Sequence, residues 1–144
     1  MNSQYAVAVH VLSLISSYPE HASSAEIAAS VGTNPVVIRN VTGLLRRAGL
    51  LSTQRGVAGA ALTRPAAQIT LLDVYRAVNG QDSVFRLHEH PHPRCPVGAN
   101  IQATLEQRFG EAQAAMEREL ARTTLADVLS DLAARAGCFF LTSM

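Results

Sequence analysis

Apolar residues recur at helical spacing along most of the chain. Between Tyr5 and Ser16, Val9, Leu12 and Ile15 or Ser16 follow one another about a turn apart, and Tyr18-Pro19 stops the run. Ser23-Ser24-Ala25-Glu26 reads as a capping box, in which the Ser23 hydroxyl takes an orphan N–H and Glu26 reaches back. The short helix it starts turns Ile27, Ala28 and Val31 inward and ends at Gly32. Asn34-Pro35 then supplies an N-cap and a first-position proline for a third helix. Its apolar residues Ile38, Val41, Leu44 and Leu45 form one stripe, and Gly49 closes it as a left-handed cap. Two helices joined by the tight segment Gly32-Thr33-Asn34 have the shape of a helix-turn-helix.

The period then changes. Residues 50–63 hold two short stretches around Arg55-Gly56 and Gly59, where glycine permits the positive φ of a tight turn, and a small β-hairpin is predicted there. Alanines weaken its second strand. Thr70-Leu71-Leu72-Asp73 caps another helix, with Ile69 and Val74 placed for a hydrophobic staple, and Asn79-Gly80 ends it. Three prolines in residues 81–96 forbid a regular helix and predict a loop. From about Gly98 to Arg122 a long amphipathic helix follows, with Ile101, Leu105, Phe109, Ala112, Met116 and Leu120 at spacings of 4, 4, 3, 4 and 4. Thr124-Leu125-Ala126-Asp127 caps a last helix carrying Val128, Leu129 and Leu132. The expected architecture is mainly α with one small hairpin. It is a single unit divided into a helix-turn-helix and hairpin (1–80), a loop (81–97) and terminal helices (98–144).

Composition excludes several classes. With 144 residues, 48% of them hydrophobic, and a net charge of +1, the chain is neither disordered nor large enough for two full domains. No apolar run spans a membrane, and Met1-Asn2-Ser3-Gln4-Tyr5 lacks the basic start of a signal peptide, so a cytoplasmic protein without a membrane partner is expected. Two cysteines, Cys95 and Cys138, make no disulfide framework. The low net charge hides an asymmetry. Residues 1–65 carry Arg39, Arg46, Arg47, Arg55 and Arg64 against Glu20 and Glu26, whereas the remainder carries seven arginines against nine acids. A positive first part points to an anionic partner for that part alone.

The order of these pieces closely resembles the Rrf-two (BadM) family of bacterial winged-helix transcription regulators. The resemblance rests on a helix-turn-helix, an Arg-Gly…Gly hairpin, and then Ile69-Thr70-Leu71-Leu72-Asp73-Val74-Tyr75-Arg76-Ala77-Val78. It covers nearly the whole chain. It implies a winged helix-turn-helix plus a long dimerisation helix, and a homodimer whose long helices cross and which binds a palindromic double-stranded DNA operator. Cluster-binding members carry three cysteines in the loop, whereas this chain has Cys95 alone there and is similar to the single-loop-cysteine branch, some members of which respond to oxidants or thiol stress. The family's hairpin tip is richer in glycine and proline than Gly56-Val57-Ala58-Gly59.

If Ile38, Val41 and Leu45 face inward, Arg39 and Asn40 project outward near the helix start, where Arg donates twice to guanine and Asn pairs with adenine. By position both also match the family's base-contacting residues. Val36 and Val37 lie near the groove, within reach of a thymine methyl. Arg46, Arg47 and Arg64 suit phosphates, and Arg55, at the hairpin tip, suits the minor groove, with Gly56 allowing close approach. The stripe Ile101, Leu105, Phe109, Met116 and Leu120 extends beyond so small a domain and is expected to pack on a twofold-related copy.

Cys95 lies among His88, His90, His92 and Arg94, and three readings stay open: a redox-sensing thiol activated by those cations, an ordinary loop cysteine, or a metal ligand. A [2Fe–2S] cluster needs about four protein ligands, mostly Cys, so no iron–sulfur cofactor is expected. No nucleophile elbow, phosphate loop or metal-hydrolase spacing marks an enzyme. A regulator, in repressor form, is therefore expected, with a winged-helix protein adaptor and a thiol enzyme as the other readings.

Overall fold

The computed structural model describes residues 3–53, 59–80 and 83–137. Among these run helices α1 (Gln4–Ser17), α2 (Ser24–Val31) and α3 (Pro35–Arg47), strands β1 (Leu51–Ser52) and β2 (Ala61–Leu62), and helices α4 (Leu71–Asn79), α5 (Ile101–Arg122) and α6 (Leu125–Ala136). Short 3-10 turns at Pro19–His21 and Ala66–Gln68 join α1 to α2 and β2 to α4. The strands pair antiparallel, Leu51 opposite Leu62 and Ser52 opposite Ala61, which is the predicted hairpin.

Three helix starts use one device. Ser23 with Glu26, Thr70 with Asp73 and Thr124 with Asp127 each form a complete capping box. Each satisfies two donors that a bare helix end would leave open. At α3 the Asn34 Oδ1 accepts from the N–H groups of Val36 (3.0 Å) and Val37 (3.1 Å), and Pro35 takes the first helical position. Gly32, at φ 81°, ends α2, and Gly49, at φ 79°, follows α3, both in the left-handed region that glycine enters without a Cβ clash.

The core is built around α1. Ala8, Val11, Leu12 and Ile15 are buried, and α1 packs against α2, α3, α4 and α6. Its inward surface is therefore wider than the single stripe its spacing predicts, and Val9 is only half-buried. Ile27 and Ala28 from α2, Ile38, Val41 and Leu45 from α3, and Leu50 and Leu51 around β1 close the core on one side. Ile69 and Val74 are fully buried at the start of α4, where the staple was expected.

The C-terminal part is sewn into this unit. Thr70 and Thr124 form an isolated antiparallel bridge. The Leu71 N–H donates to the Thr123 carbonyl (2.9 Å), and the Leu125 N–H to the Ile69 carbonyl (2.7 Å). Leu125 is thereby carried into the core at 0% exposure. Tyr5 adds a second tie, its hydroxyl donating to the Leu71 carbonyl at 2.6 Å while its ring lies 5.5 Å from that of Tyr75. Burial, and then the neighbouring Tyr75, push the Tyr5 phenol up to about 12.

The long helix begins three residues later than its pattern predicts, at Ile101 rather than Gly98. The reason is a tight turn. A Cβ on Gly98 would collide with the His92 carbonyl oxygen, so the loop backbone occupies space that any other residue would fill.

Candidate nucleic-acid interface

Helix α3 presents two unlike faces. Ile38, Val41 and Leu45 are each 0% exposed in the core, which leaves Arg39, Asn40, Arg46 and Arg47 exposed on the other side. Val36, at the helix start, is 55% exposed, and Val37 is half-buried. Arg39, Asn40, Arg46 and Arg47 surround a shallow hollow of about 300 Å³ on the outer face of the helix. A second hollow, of about 290 Å³, lies between α2, α3 and the hairpin, where Arg39 and Arg46 share walls with Ser23, Ser24 and Thr53. Arg39 and Arg46 border both, so the positive surface is continuous from α3 to the hairpin root.

The hairpin is anchored at its base. The Thr63 hydroxyl donates to the Gly49 carbonyl (2.6 Å), and the Thr63 N–H to the Leu50 carbonyl (3.2 Å). Gly59, at φ 90°, lies close to Ala22, where an added Cβ would stand 3.4 Å from the Ala22 methyl. Arg55 and Gly56, expected at the hairpin tip, lie outside the described residues. Arg64, expected on a phosphate, is held within the domain. Its Nη2 lies 3.1 Å from Asp73 Oδ2, and its Nε donates to the Gln68 carbonyl at 2.9 Å. Asp73 is the same carboxylate that caps α4, accepting from the Thr70 N–H at 2.9 Å. Arg64 therefore braces the hairpin root against the α4 start, a pairing nine residues apart that periodicity alone did not reveal.

The loop before α5 runs back along that helix as a strap. Gln113 Oε1 accepts from the Ser83 hydroxyl (2.9 Å) and the Val84 N–H (3.2 Å), Phe85 stacks on Phe109 at 4.9 Å, and Gln102 donates to the His88 carbonyl (3.1 Å). Phe109, assigned by spacing to a dimer seam, is thus partly covered by its own chain. Ile101, Leu105, Met116 and Leu120 are half-buried, and no residue of α5 is fully buried.

Cys95 is exposed and sits at the end of the strap. The Gly98 N–H, and then the Val97 N–H, reach its sulfur and hold the thiol below its ordinary pKa. Backbone donors, rather than the Arg94 and histidine charges expected from the sequence, supply this activation. Gly98 suits this turn because an added Cβ there would collide with the His92 backbone. His92 Nδ1 meanwhile accepts from the Arg94 N–H (3.1 Å). Among the described residues, no three His, Cys, Asp or Glu side chains converge as metal ligands. No described helix is long and apolar enough to cross a membrane.

Comparison with known proteins agrees with this geometry. Residues 1–131 match the Rrf2 family, described as an iron-dependent transcriptional regulator. Over 132 residues the chain is 51% identical to the Putative HTH-type transcriptional regulator YwnA of Bacillus subtilis (strain 168), spanning 92% of this chain and 98% of that one. A solved structure described as a putative DNA binding protein superposes with a TM-score of 0.74 at 48% identity, covering 88% of this chain and 99% of the other. CymR (YrzC), the global cysteine regulator of B. subtilis, shares the fold with a TM-score of 0.67 at 21% identity, over 90% and 95% of the two chains. The chain belongs to the Rrf2 family and is a transcriptional regulator with a winged-helix DNA-binding fold, not an enzyme.

Proposed function

We propose that the protein is a homodimeric repressor that places α3 in the major groove of each half of a palindromic operator. The observation that carries this reading is the outward projection of Arg39 and Asn40 from a helix whose opposite face is locked in the core. Arg39 reads guanine, Asn40 reads adenine, and Val36 and Val37 lie near enough for a thymine methyl. Arg46 and Arg47 hold phosphates. Arg55 and Gly56 are assigned to the minor groove from the sequence.

Dimerisation is supported by α5. Its 22 residues extend about 33 Å, and none is fully buried by its own chain. Leu105, Met116 and Leu120 on α5 and the 39% exposed Leu132 on α6 are apolar surface that a twofold copy would cover. For the sensing element, the lowered pKa and exposure of Cys95 support a thiol that reacts with oxidants or electrophiles. Its strap lies on α5, so a modified Cys95 would disturb the helix that sets the spacing of the two α3 copies. The family's iron-dependent description does not fit the donors present. Cys95 is the loop's one thiol, too few for a cluster that takes about four protein ligands, so the proposed mechanism uses no iron–sulfur cluster.

The test uses a duplex enriched from a random-sequence library by the wild-type protein. Arg39→Ala and Asn40→Ala are expected to weaken binding to it about tenfold or more, with thermal stability unchanged. Wild-type affinity in both variants would overturn the groove assignment.

A further inference from the structure

We propose that Gly43 is the point at which the backbone of α3 meets the DNA base edges. The inference rests on the DNA-binding reading and deepens it. At about 100° per residue, Gly43 lies within about 60° of Val36, Arg39, Asn40, Arg46 and Arg47 around the helix, and about 140–160° from the core residues Ile38, Val41 and Leu45. It is therefore central to the side of α3 turned away from the core, although its own few atoms are buried beneath the side chains around it, and it stands mid-way along a 13-residue helix, where a strong helix former would ordinarily serve best. Packing within the chain does not require glycine here. A Cβ at Gly43 would meet the Arg47 guanidinium at 3.7–4.0 Å, ordinary contact with the far end of a flexible side chain. The glycine leaves a floor to the hollow of about 300 Å³ rimmed by Arg39, Asn40, Arg46 and Arg47.

A helix that lies in the major groove is limited in depth by the side chains at the middle of its inserted face. Removing the central Cβ lets the helix axis come closer by one methyl group, which brings Arg39 and Asn40 within direct hydrogen-bond reach of bases. In the free protein the Arg47 guanidinium covers this floor. On binding it moves aside to a phosphate flanking the groove, where its charge is neutralised.

The experiment compares wild type, Gly43→Ala, Gly43→Gln and Arg39→Ala on the library-enriched duplex and on a scrambled duplex of equal length, with thermal melting of each protein. Gly43→Ala is expected to raise Tm, because alanine is the better helix former. It is expected to weaken binding to the enriched duplex about tenfold while changing binding to the scrambled duplex by less than about threefold. Gly43→Gln should weaken enriched-duplex binding further. If Gly43→Ala binds as wild type while Arg39→Ala does not, the DNA reading stands and this inference falls. A lowered Tm in Gly43→Ala would also overturn it, since packing would then explain the glycine. If the wild type enriches no duplex, both readings fail together.

Discussion

A few side chains of this protein serve two elements at once, and their chemistry is testable singly. Asp73 caps α4 and binds Arg64. Burial raises its pKa, but the Thr70 N–H and hydroxyl and the Arg64 guanidinium outweigh it and hold the carboxyl below the usual aspartate range. A depressed folded-state pKa contributes stability that is present above the unfolded value and is lost as pH falls through the folded one. Lowering the pH from 7 to 3 should therefore reduce the Tm of wild type more than that of Asp73→Asn, as read by circular dichroism. Arg64→Ala separates a brace from a phosphate contact. As a brace, its loss should lower Tm while leaving the slope of log affinity against log salt unchanged. A phosphate contact would reduce that slope by about 1. The sequence alone made Arg64 one more cation of the positive half, because what Asp73 binds depends on a fold that brings the hairpin root to α4. Arg39 and Asn40 were legible, since the inward stripe of α3 leaves them one direction to face.

Among the elements, those with a local chemical signal could be read from the sequence, and those shaped by contact with distant chain could not. Three Ser/Thr boxes and Asn34-Pro35 declared four helix starts, because each needs residues within three positions. The strap did not declare itself. Its path depends on Gln102, Gln113 and Phe109, which lie up to thirty residues away and look like ordinary helix surface. The turn at Gly98 likewise continues the helical pattern in the sequence, where nothing announces the His92 carbonyl beside it. In a Cys138→Ser background, so that one thiol reports, iodoacetamide should alkylate Cys95 at a pH lower than the value near 8.5 at which a free thiol half-ionises. Gly98→Ala should move that midpoint back up, because the added Cβ forces the donating N–H away. At the start of α6, Thr124→Ala should cost about 1 kcal/mol in denaturant unfolding through loss of its box.

For the whole molecule, the proposed pairing is the property with the largest consequences. Leu105→Glu together with Leu120→Glu should convert a species of twice 15.4 kDa into a monomer in sedimentation, and should weaken operator binding by more than either recognition-helix variant alone. The amphipathic spacing of α5 makes its half-buried apolar stripe legible; its partial cover by Phe85 is not. The bridge between Thr70 and Thr124 bears on how the protein can be dissected. A fragment ending at Gly80 holds every residue of the helix-turn-helix and the hairpin, yet it lacks Leu125, which fills the middle of that unit's interior. Such a fragment would carry a void where a leucine belongs, a loss comparable to the roughly 2–5 kcal/mol of a core Leu→Ala change. The winged helix is consequently no detachable module: its interior is finished by α6, so anything that pulls on α6 pulls on the helix-turn-helix as well.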